Sequence, residues 1–417
     1  MIQYLLTRKP FLDKNRNIFA YEVLFRSTNG VKPAFSPSFA PGDALTLFLA
    51  VHSFEQLAGD KTVMFSLGPD VLKDHVTALL PKPRSVLEVS DEARPVDQTF
   101  VQHCESLRAH GFRFCLTDFN PNGGFTPLLH LAEFVEIPIA GQDRLKIAEQ
   151  LGLLKKLPVK TIASGVATKD DFDYCSKLGF DLFKGSFYYK SSAGRTKSIS
   201  PSQLLLLELS AHLARDEDMQ VVERIFKKNP DLTFGLLKLI NSAFFRVQQK
   251  VTSIRQAIAL LGYENLQKWV ALLLFTIDHR DHTVNPLVEK VLIRGRMMEM
   301  LAERVTSSKT VADSAFITGI LSFVTVLFGV ALSDIIGKLN LAPEIQEALE
   351  KRQGLLGTLL AITEDLDDED YEELEKKLAS VHIRGLDVLA IETKATIEYQ
   401  TSLNDDLHRI TSGKEAQ

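Results

Sequence analysis

The spacing of apolar residues changes once along the chain, and this change limits the folds that the chain can adopt. Up to about residue 190, short apolar runs typical of strands alternate with amphipathic stretches of helical period. From residue 201 onwards the helical period continues to the C-terminus. Alternating strands and helices are typical of α/β sheets, whereas a purely helical pattern predicts an all-α domain. The sequence therefore predicts two domains of different class.

The first domain, residues 1–190, contains eight candidate strands. They are Ile2–Thr7, Ile18–Arg26, Thr62–Leu67, Val86–Ser90, Phe112–Asp118, Glu133–Ile137, Val159–Ala163 and Phe180–Lys184. Helical patterns separate most of them, as at Asp43–Leu57, Val96–His110 and Gln142–Leu154. The first two strands are joined only by the polar stretch Asp13–Asn17, which predicts a hairpin and an antiparallel pair. This pattern favours a (β/α)8 TIM-type barrel with one antiparallel strand, with an open doubly wound sheet as the alternative.

Residues 191–200 lack an apolar run and are predicted to be a linker. A capping box of Ser200 and Gln203, with Pro201 between them, marks the start of the all-helical domain 201–417. Within that domain, Ser253 is predicted to cap a helix that ends at Gly262.

The charge balance and the cysteines restrict the class of protein. Lys+Arg 48 against Asp+Glu 53 gives a net charge of −5, which argues against a nucleic-acid partner because such proteins usually carry a basic face. Three cysteines cannot all form pairs, so a reducing, cytoplasmic location is expected.

One uncharged segment, between Asp313 and Asp334, is long enough to cross a bilayer. It contains Thr318, Gly319 and Ser322, which dilute its apolar character. A buried core helix is therefore predicted here, and no membrane span.

The second strand places charged residues inside the predicted barrel. The two-residue period of a strand puts Phe19, Tyr21, Val23 and Phe25 on the outer face. Glu22 and Arg26 then point inwards, where a charge needs a partner, a metal or a ligand. This strand alone is equally consistent with a structural ion-pair network and with a functional site.

Several short segments of the first domain carry a family resemblance. They are Lys9-Pro10, Tyr21-Glu22-Val23-Leu24-Phe25-Arg26, Leu87-Glu88-Val89-Ser90-Asp91, Leu116-Thr117-Asp118-Phe119 and Phe183-Lys184-Gly185-Ser186. In order and spacing they resemble the motifs of EAL domains, the cyclic di-GMP phosphodiesterase family. The resemblance spans most of residues 1–190 and implies an EAL-like barrel. It also implies a site in which carboxylates and an asparagine hold two divalent cations and a lysine assists hydrolysis.

The residues at these family positions depart from that pattern. Glu22, Glu88 and Asp118 match metal-ligand positions, and Arg26 and Lys184 are candidate phosphate contacts. The family positions that have been lost are Ser66, Thr117, Glu136, Ser164 and Ala167. Three carboxylates suit at most one weakly held Mg²⁺ or Mn²⁺ ion. The sequence therefore predicts no catalytic residue and no resident metal or cofactor.

The substitutions at Glu136 and Lys184 reverse the charges of the family pattern in compensating senses. The hypothesis that follows is that these two residues belong to one ion-pair network that fills the former site.

The helical domain resembles the HDOD family, a fold related to HD-type metal phosphohydrolases. The matching segments are Ile225–Leu232, Leu236–Ala243 and Thr252–Gly262, which lie within residues 200–280. No His-Asp dipeptide occurs in the chain, so the central metal motif of HD enzymes is absent.

Together the two resemblances imply a non-catalytic bacterial signalling protein, connected to cyclic di-GMP control of motility or biofilm formation. It is expected to act through protein–protein interaction with signalling partners that the sequence does not identify, and its oligomeric state is not predicted. A metal-dependent cyclic di-GMP phosphodiesterase and a sensor that binds cyclic di-GMP without hydrolysis are the alternatives.

Overall fold

A computed structural model gives the structure of most of the chain. It describes residues 4–27, 42–66, 75–90, 97–121, 123, 126–190, 201–214, 219–229, 232–233, 236, 251, 253–276, 285–328, 332–333 and 341–412. The cap predicted at Ser200 lies outside the described residues.

Eight strands form a closed barrel, in which each strand pairs with its neighbours in chain order. They are β1 Tyr4–Leu12, β2 Ile18–Ser27, β3 Thr62–Ser66, β4 Ser85–Ser90, β5 Arg113–Thr117, β6 Ala132–Pro138, β7 Lys160–Ser164 and β8 Leu182–Lys184. Strand β1 is antiparallel to both β2 and β8, whereas the pairs from β2 to β8 are parallel. The predicted barrel with one reversed strand is confirmed, and the open sheet is wrong.

Local hydrogen bonds explain why β1 turns back directly into β2. The Asp13 carboxylate accepts hydrogen bonds from the backbone N–H groups of Asn15 and Asn17, at 2.8 Å in each case. Arg16 adopts a left-handed backbone conformation, with φ of 66°. An aspartate that fixes the backbone two residues ahead is a common basis of a tight turn.

Strand alternation divides the side chains between the inside of the barrel and its outer layer. Each strand contributes one residue to an apolar cluster in the interior, namely Phe11, Ala20, Met64, Val86, Cys115, Phe134, Ile162 and Leu182. Tyr21 and Val23 pack in the outer core, as predicted. The predicted outward position of Phe19 is wrong, because its ring packs against Phe134 of the interior cluster, with the centroids 6.0 Å apart.

A β-bulge explains the position of Phe19. Phe11 is paired with Ala20, but the next residue of β1, Leu12, is paired with Ile18. Phe19 is therefore the extra residue, and a bulge of this kind redirects a side chain.

Helices are the other main elements of the described chain. They are α1 Gly42–Val51, α2 Phe54–Ala58, α3 Gln98–Ala109, α4 Arg144–Leu154, α5 Lys169–Leu178, α6 Pro201–Ala214, α7 Met219–Lys228, α8 Ile254–Leu261, α9 Tyr263–Thr276, α10 Pro286–Val305, α11 Lys309–Leu321, α12 Val324–Phe328, α13 Pro343–Lys351, α14 Gly354–Asp368, α15 Tyr371–Ser380 and α16 Gly385–Ser412. The helix predicted over Asp43–Leu57 is divided in two, because Ser53 caps the start of α2. The predicted cap at Ser253 and helix end at Gly262 are both present in α8.

The compact units of the structure differ from a simple division of the chain at residue 201. One unit combines Met1–Lys190 with Thr283–Glu289 and Arg384–Gln417, and the other contains Ser191–His282 and Lys290–Ile383. Helix α16 packs against β1, where the Leu6 N–H donates to Thr393 Oγ1 at 2.8 Å. Because β1 leads into a hairpin rather than a crossover helix, α16 covers a strand that the barrel's own connections leave open.

A buried charged network also joins β1 to these later segments. Arg8, whose side chain is 1% exposed, places Nη2 2.6 Å from Glu289 Oε1. Its Nη1 donates to the Leu57 carbonyl at 2.7 Å and to Gln400 Oε1 at 2.9 Å. The Tyr21 hydroxyl donates to Glu289 Oε2 at 2.6 Å. The buried guanidinium is thus paired with a carboxylate and hydrogen-bonded, as such groups require.

In the helical unit, α11 contacts α9, α13 and α14. The apolar stretch Lys309–Leu327 is long and apolar enough to cross a membrane, and half of its most apolar window is buried inside the fold. The buried residues of α11 include Ala315, Thr318 and Ile320, so their packing supports the predicted core helix.

Replacing Arg8 by methionine is expected to lower the free energy of unfolding by about 3–5 kcal/mol, because it leaves the Glu289 carboxylate buried without its cation. Urea denaturation of the full chain measures this change. Lys376→Met removes an exposed ion pair and serves as the control, which should leave the denaturation midpoint nearly unchanged. Equal effects of the two substitutions would contradict the importance assigned to the Arg8 network.

Candidate functional site

A layer of polar side chains lies directly above the interior apolar cluster. Each of these polar residues is two positions along its strand from a residue of the apolar cluster. Because side chains alternate between the two faces of a strand, both residues face the inside of the barrel. We call this set the polar layer; it consists of Lys9, Glu22, Ser66, Glu88, Thr117, Glu136, Ser164 and Lys184. It contains three carboxylates and two ammonium groups within the barrel.

Lys184 is the centre of the polar layer. Its Nζ lies 2.9 Å from Glu136 Oε1 and 3.1 Å from Glu22 Oε1. The side chains of Lys184, Glu22 and Glu136 are 15%, 11% and 4% exposed. The predicted ion pair between Glu136 and Lys184 is confirmed, and Glu22 belongs to the same network.

Gly185 allows the end of β8 to approach the loop that follows β7. Its φ is 154°, and a Cβ atom here would lie 2.1 Å from the Val166 carbonyl oxygen. Only glycine accepts this close backbone approach. The Val166 N–H donates to the Lys184 carbonyl at 3.1 Å, which anchors the backbone of Lys184.

Opposite charges hold Glu22 and Lys184 in their ionised forms. Burial would raise the pKa of Glu22, but the charges of Lys184 and Lys9 keep this pKa below its usual value. Lys9 is the cross-strand partner of Glu22 in the hairpin. Burial would lower the pKa of Lys184, but the charges of Glu136, Glu22 and Glu88 raise it well above its usual value. An ammonium group is therefore a permanent part of this layer.

Glu88 has the opposite electrostatic character. Burial raises its pKa well above the usual value, and the charge of Glu22 adds to this effect. Glu88 therefore keeps its proton at pH values where an exposed glutamate is ionised. Burial also raises the pKa of Glu136, and the charge of Lys184 opposes this rise. Lys184 contacts both Glu22 and Glu136, and Lys9 is paired with Glu22 in the hairpin.

The other family positions are spread between this layer and the rim of the barrel. Thr117 is buried and donates from Oγ1 to the Val89 carbonyl at 3.4 Å, and Ser164 is hydrogen-bonded to Glu136. Asp118 lies just beyond β5, is exposed and has a φ of 57°. Ala167 is exposed in the loop after β7. The side chain of Arg26 lies outside the described part of the structure.

The geometry of the polar layer does not fit a pair of hard divalent cations. Such a pair needs several anionic oxygens that face the ions. Here the Lys184 ammonium occupies the space between the Glu22 and Glu136 carboxylates. Thr117 provides a hydroxyl where a bridging carboxylate would be required, and this hydroxyl is turned to the Val89 carbonyl.

Sequence reasoning missed two residues of the site. The sequence predicts Lys9 only as part of a motif, although the hairpin register places it opposite Glu22. It predicts Cys115 only as a core or surface residue, because its spacing from Cys104 is not that of metal ligands, although Cys115 precedes Thr117 by two positions and shares its inner face. For both residues, the two-residue period of a strand is the sequence pattern that indicates an inward-facing side chain.

Comparisons with known proteins extend over both halves of the chain. Residues 205–351 match the HDOD domain family. The cyclic di-GMP phosphodiesterase CdgJ of Vibrio cholerae is 26% identical over 379 residues, which is 89% of this chain and 86% of CdgJ. The uncharacterised protein YuxH of Bacillus subtilis is 23% identical over 88% of this chain and 91% of its own length.

Part of the helical half therefore matches the HDOD domain family, and most of the chain is similar to CdgJ. The barrel half also aligns with the solved EAL domain of FimX from Pseudomonas aeruginosa bound to c-di-GMP. The identity is 15% and the TM-score 0.33, over 45% of this chain and 90% of that chain.

The opposite pKa shifts of Glu88 and Glu22 predict opposite pH dependences. The stability contributed by Glu88 is fully present below about pH 4.5 and decreases as the pH rises towards its elevated folded-state pKa. Because glutamine does not ionise, Glu88→Gln should gain stability relative to wild type as the pH rises. The free energy of unfolding in urea, measured from pH 4.5 to 8, tests this.

Glu22→Gln is the matched control. The lowered pKa of Glu22 gives stability above about pH 4.5 that decreases as the pH falls through the folded-state pKa. This variant should therefore be less stable than wild type at pH 8, and the difference should shrink in acid. Parallel pH profiles for the two variants would contradict the assigned charge states.

Proposed function

We propose that this protein is a non-catalytic signalling protein of cyclic di-GMP pathways that acts by binding other proteins. The observation that carries the proposal is the Lys184 ammonium, which lies between the Glu22 and Glu136 carboxylates at 3.1 and 2.9 Å. Glu22 is one of the three carboxylates that match metal-ligand positions, and a reaction centre of paired cations requires its oxygens for the metals. An internal ammonium compensates the same negative charge without supplying a metal-bound water.

The pathway assignment is supported by the relatives. CdgJ is named a cyclic di-GMP phosphodiesterase, and PdeG of Escherichia coli, 29% identical over 118 residues, is named a probable one. The match to CdgJ covers most of both chains. The chain keeps the barrel fold, but Lys184 pairs with the carboxylates inside it. We infer a regulatory role from this combination, because one fold can host different functions.

The helical half supports a role in protein binding. No His-Asp dipeptide occurs in the sequence, so the HDOD domain has no central metal motif of the HD type. Buried ion pairs occupy polar positions among its helices, as where Arg294 pairs with Asp367. Lys268 lies 2.6 Å from both Glu299 and Asp313. These charged groups are paired with one another inside the helical half, which is consistent with a scaffold that binds partners rather than with a metal centre.

Incubation of the purified full chain with cyclic di-GMP and Mn²⁺ or Mg²⁺ is expected to yield no linear dinucleotide. Chromatography of the products, with an active EAL phosphodiesterase assayed in parallel, measures this. Wild type and Glu22→Ala should be indistinguishable. Cation-dependent turnover that is lost in Glu22→Ala would show that the protein is an enzyme.

Calorimetry of the same sample separates the two non-catalytic roles. A protein-binding role predicts no heat of binding for cyclic di-GMP. Binding without turnover, abolished by Arg26→Ala, would instead identify a nucleotide sensor.

A further inference from the structure

Three potential metal ligands meet inside the barrel. One carboxylate oxygen of Glu88, one of Glu136 and the Cys115 sulfur all lie within 4.8 Å of one another. The residues come from the neighbouring parallel strands β4, β5 and β6, and Glu88 is paired with Cys115 in the sheet register. Counted over the whole residue, Glu88 and Glu136 are each 3% exposed and Cys115 is 0% exposed. The rigid wall of the barrel thus holds two carboxylates and a thiol together.

A second observation indicates that this cluster is an incomplete site. Glu88 Oε1 and Glu136 Oε2 are buried and have no hydrogen-bond partner among the described residues. Buried polar atoms are nearly always paired, because an unpaired one loses its hydration without compensation. A cation bound by these carboxylates would satisfy both oxygens.

The Lys184 ammonium does not serve this purpose. It contacts Glu136 through Oε1 and Glu22 through Oε1, which leaves Glu136 Oε2 unpaired. Glu136 Oε2 is therefore available to a cation while Oε1 keeps its contact with Lys184. A cation held by Glu88, Cys115 and Glu136 is compatible with the ion pairs of Lys184.

We propose that Glu88, Cys115 and Glu136 form a site for a single zinc ion. Zinc accepts thiolate and carboxylate ligands together, whereas Mg²⁺ and Mn²⁺ prefer oxygen ligands alone. Zn–O distances of about 2.0 Å and a Zn–S distance of about 2.3 Å require the three ligand atoms to close in slightly from their present separation. The Cys115 thiol and the protonated Glu88 carboxyl both release their protons to solvent when their bonds to zinc form.

Three protein ligands leave one position of a tetrahedral zinc ion for water. The side chains of Glu22 and Lys184, at 11% and 15% exposure, show that solvent reaches the polar layer from the mouth of the barrel. Such a site makes the stability of the barrel depend on zinc, because an ion that binds only the folded state stabilises it. This role is independent of whether the protein hydrolyses cyclic di-GMP.

Cobalt titration of the chelator-treated full chain tests the site directly. A thiolate bound to Co²⁺ gives a charge-transfer band in the near ultraviolet, and we expect one equivalent of Co²⁺ to produce it. One equivalent of Zn²⁺ should abolish the band, and excess Mg²⁺ should not. Zn²⁺ should also raise the midpoint of thermal unfolding.

The other two cysteines provide matched controls, since Cys104 and Cys175 are also free and buried but belong to the outer core. Cys115→Ser should lose the band, whereas Cys104→Ser and Cys175→Ser should keep it. Glu88→Gln should retain the fold and weaken cobalt binding by about tenfold or more.

Absence of a charge-transfer band in folded wild type, or a band that persists in Cys115→Ser, would overturn the proposal. Cation-dependent hydrolysis would overturn the proposed function but leave the cobalt result unaffected, so the two failures are distinguishable.

Discussion

The position of one ammonium group determines what the interior of this barrel can do. Lys184 lies among carboxylates from other strands, at 2.9 Å from Glu136 and 3.1 Å from Glu22. Charges buried in a protein must be compensated locally, and a lysine compensates two carboxylates without recruiting a metal. The Glu22 oxygens are then not free to help hold a pair of divalent cations. The absence of catalysis that we propose follows from this arrangement.

The rest of the polar layer adjusts to that ion-pair network. Lys9, from the reversed strand, faces Glu22 across the hairpin and supplies the second positive charge. Glu88 lies where a further negative charge would be unfavourable, and its raised pKa keeps it protonated. This leaves Glu88, Cys115 and Glu136 as a second, smaller cluster with unpaired oxygens. Glu136 thus belongs to both groups, because one of its oxygens contacts Lys184 and the other is unpaired.

The outer side of the same two strands depends on distant parts of the chain. Arg8 and Tyr21 immediately precede Lys9 and Glu22, and both contact Glu289. Helix α16 hydrogen-bonds to Leu6 on β1. Because side chains alternate across a strand, the segments that hold Arg8 and Tyr21 outside also fix the inward direction of Lys9 and Glu22.

Local patterns in the sequence determined much of this description, including the eight strands, the reversed first strand and the caps at Ser253 and Gly262, whereas the pairing of Glu136 with Lys184 was expected only from the resemblance to EAL domains. The strands and the caps depend on side-chain periodicity or on contacts between near neighbours, which a sequence displays directly. Only the tertiary structure decided that α16 joins the barrel, that a bulge turns Phe19 inwards, and that Cys115 meets Glu88 and Glu136. Each of these depends on register or on packing between residues far apart in the chain, and no local pattern records such contacts.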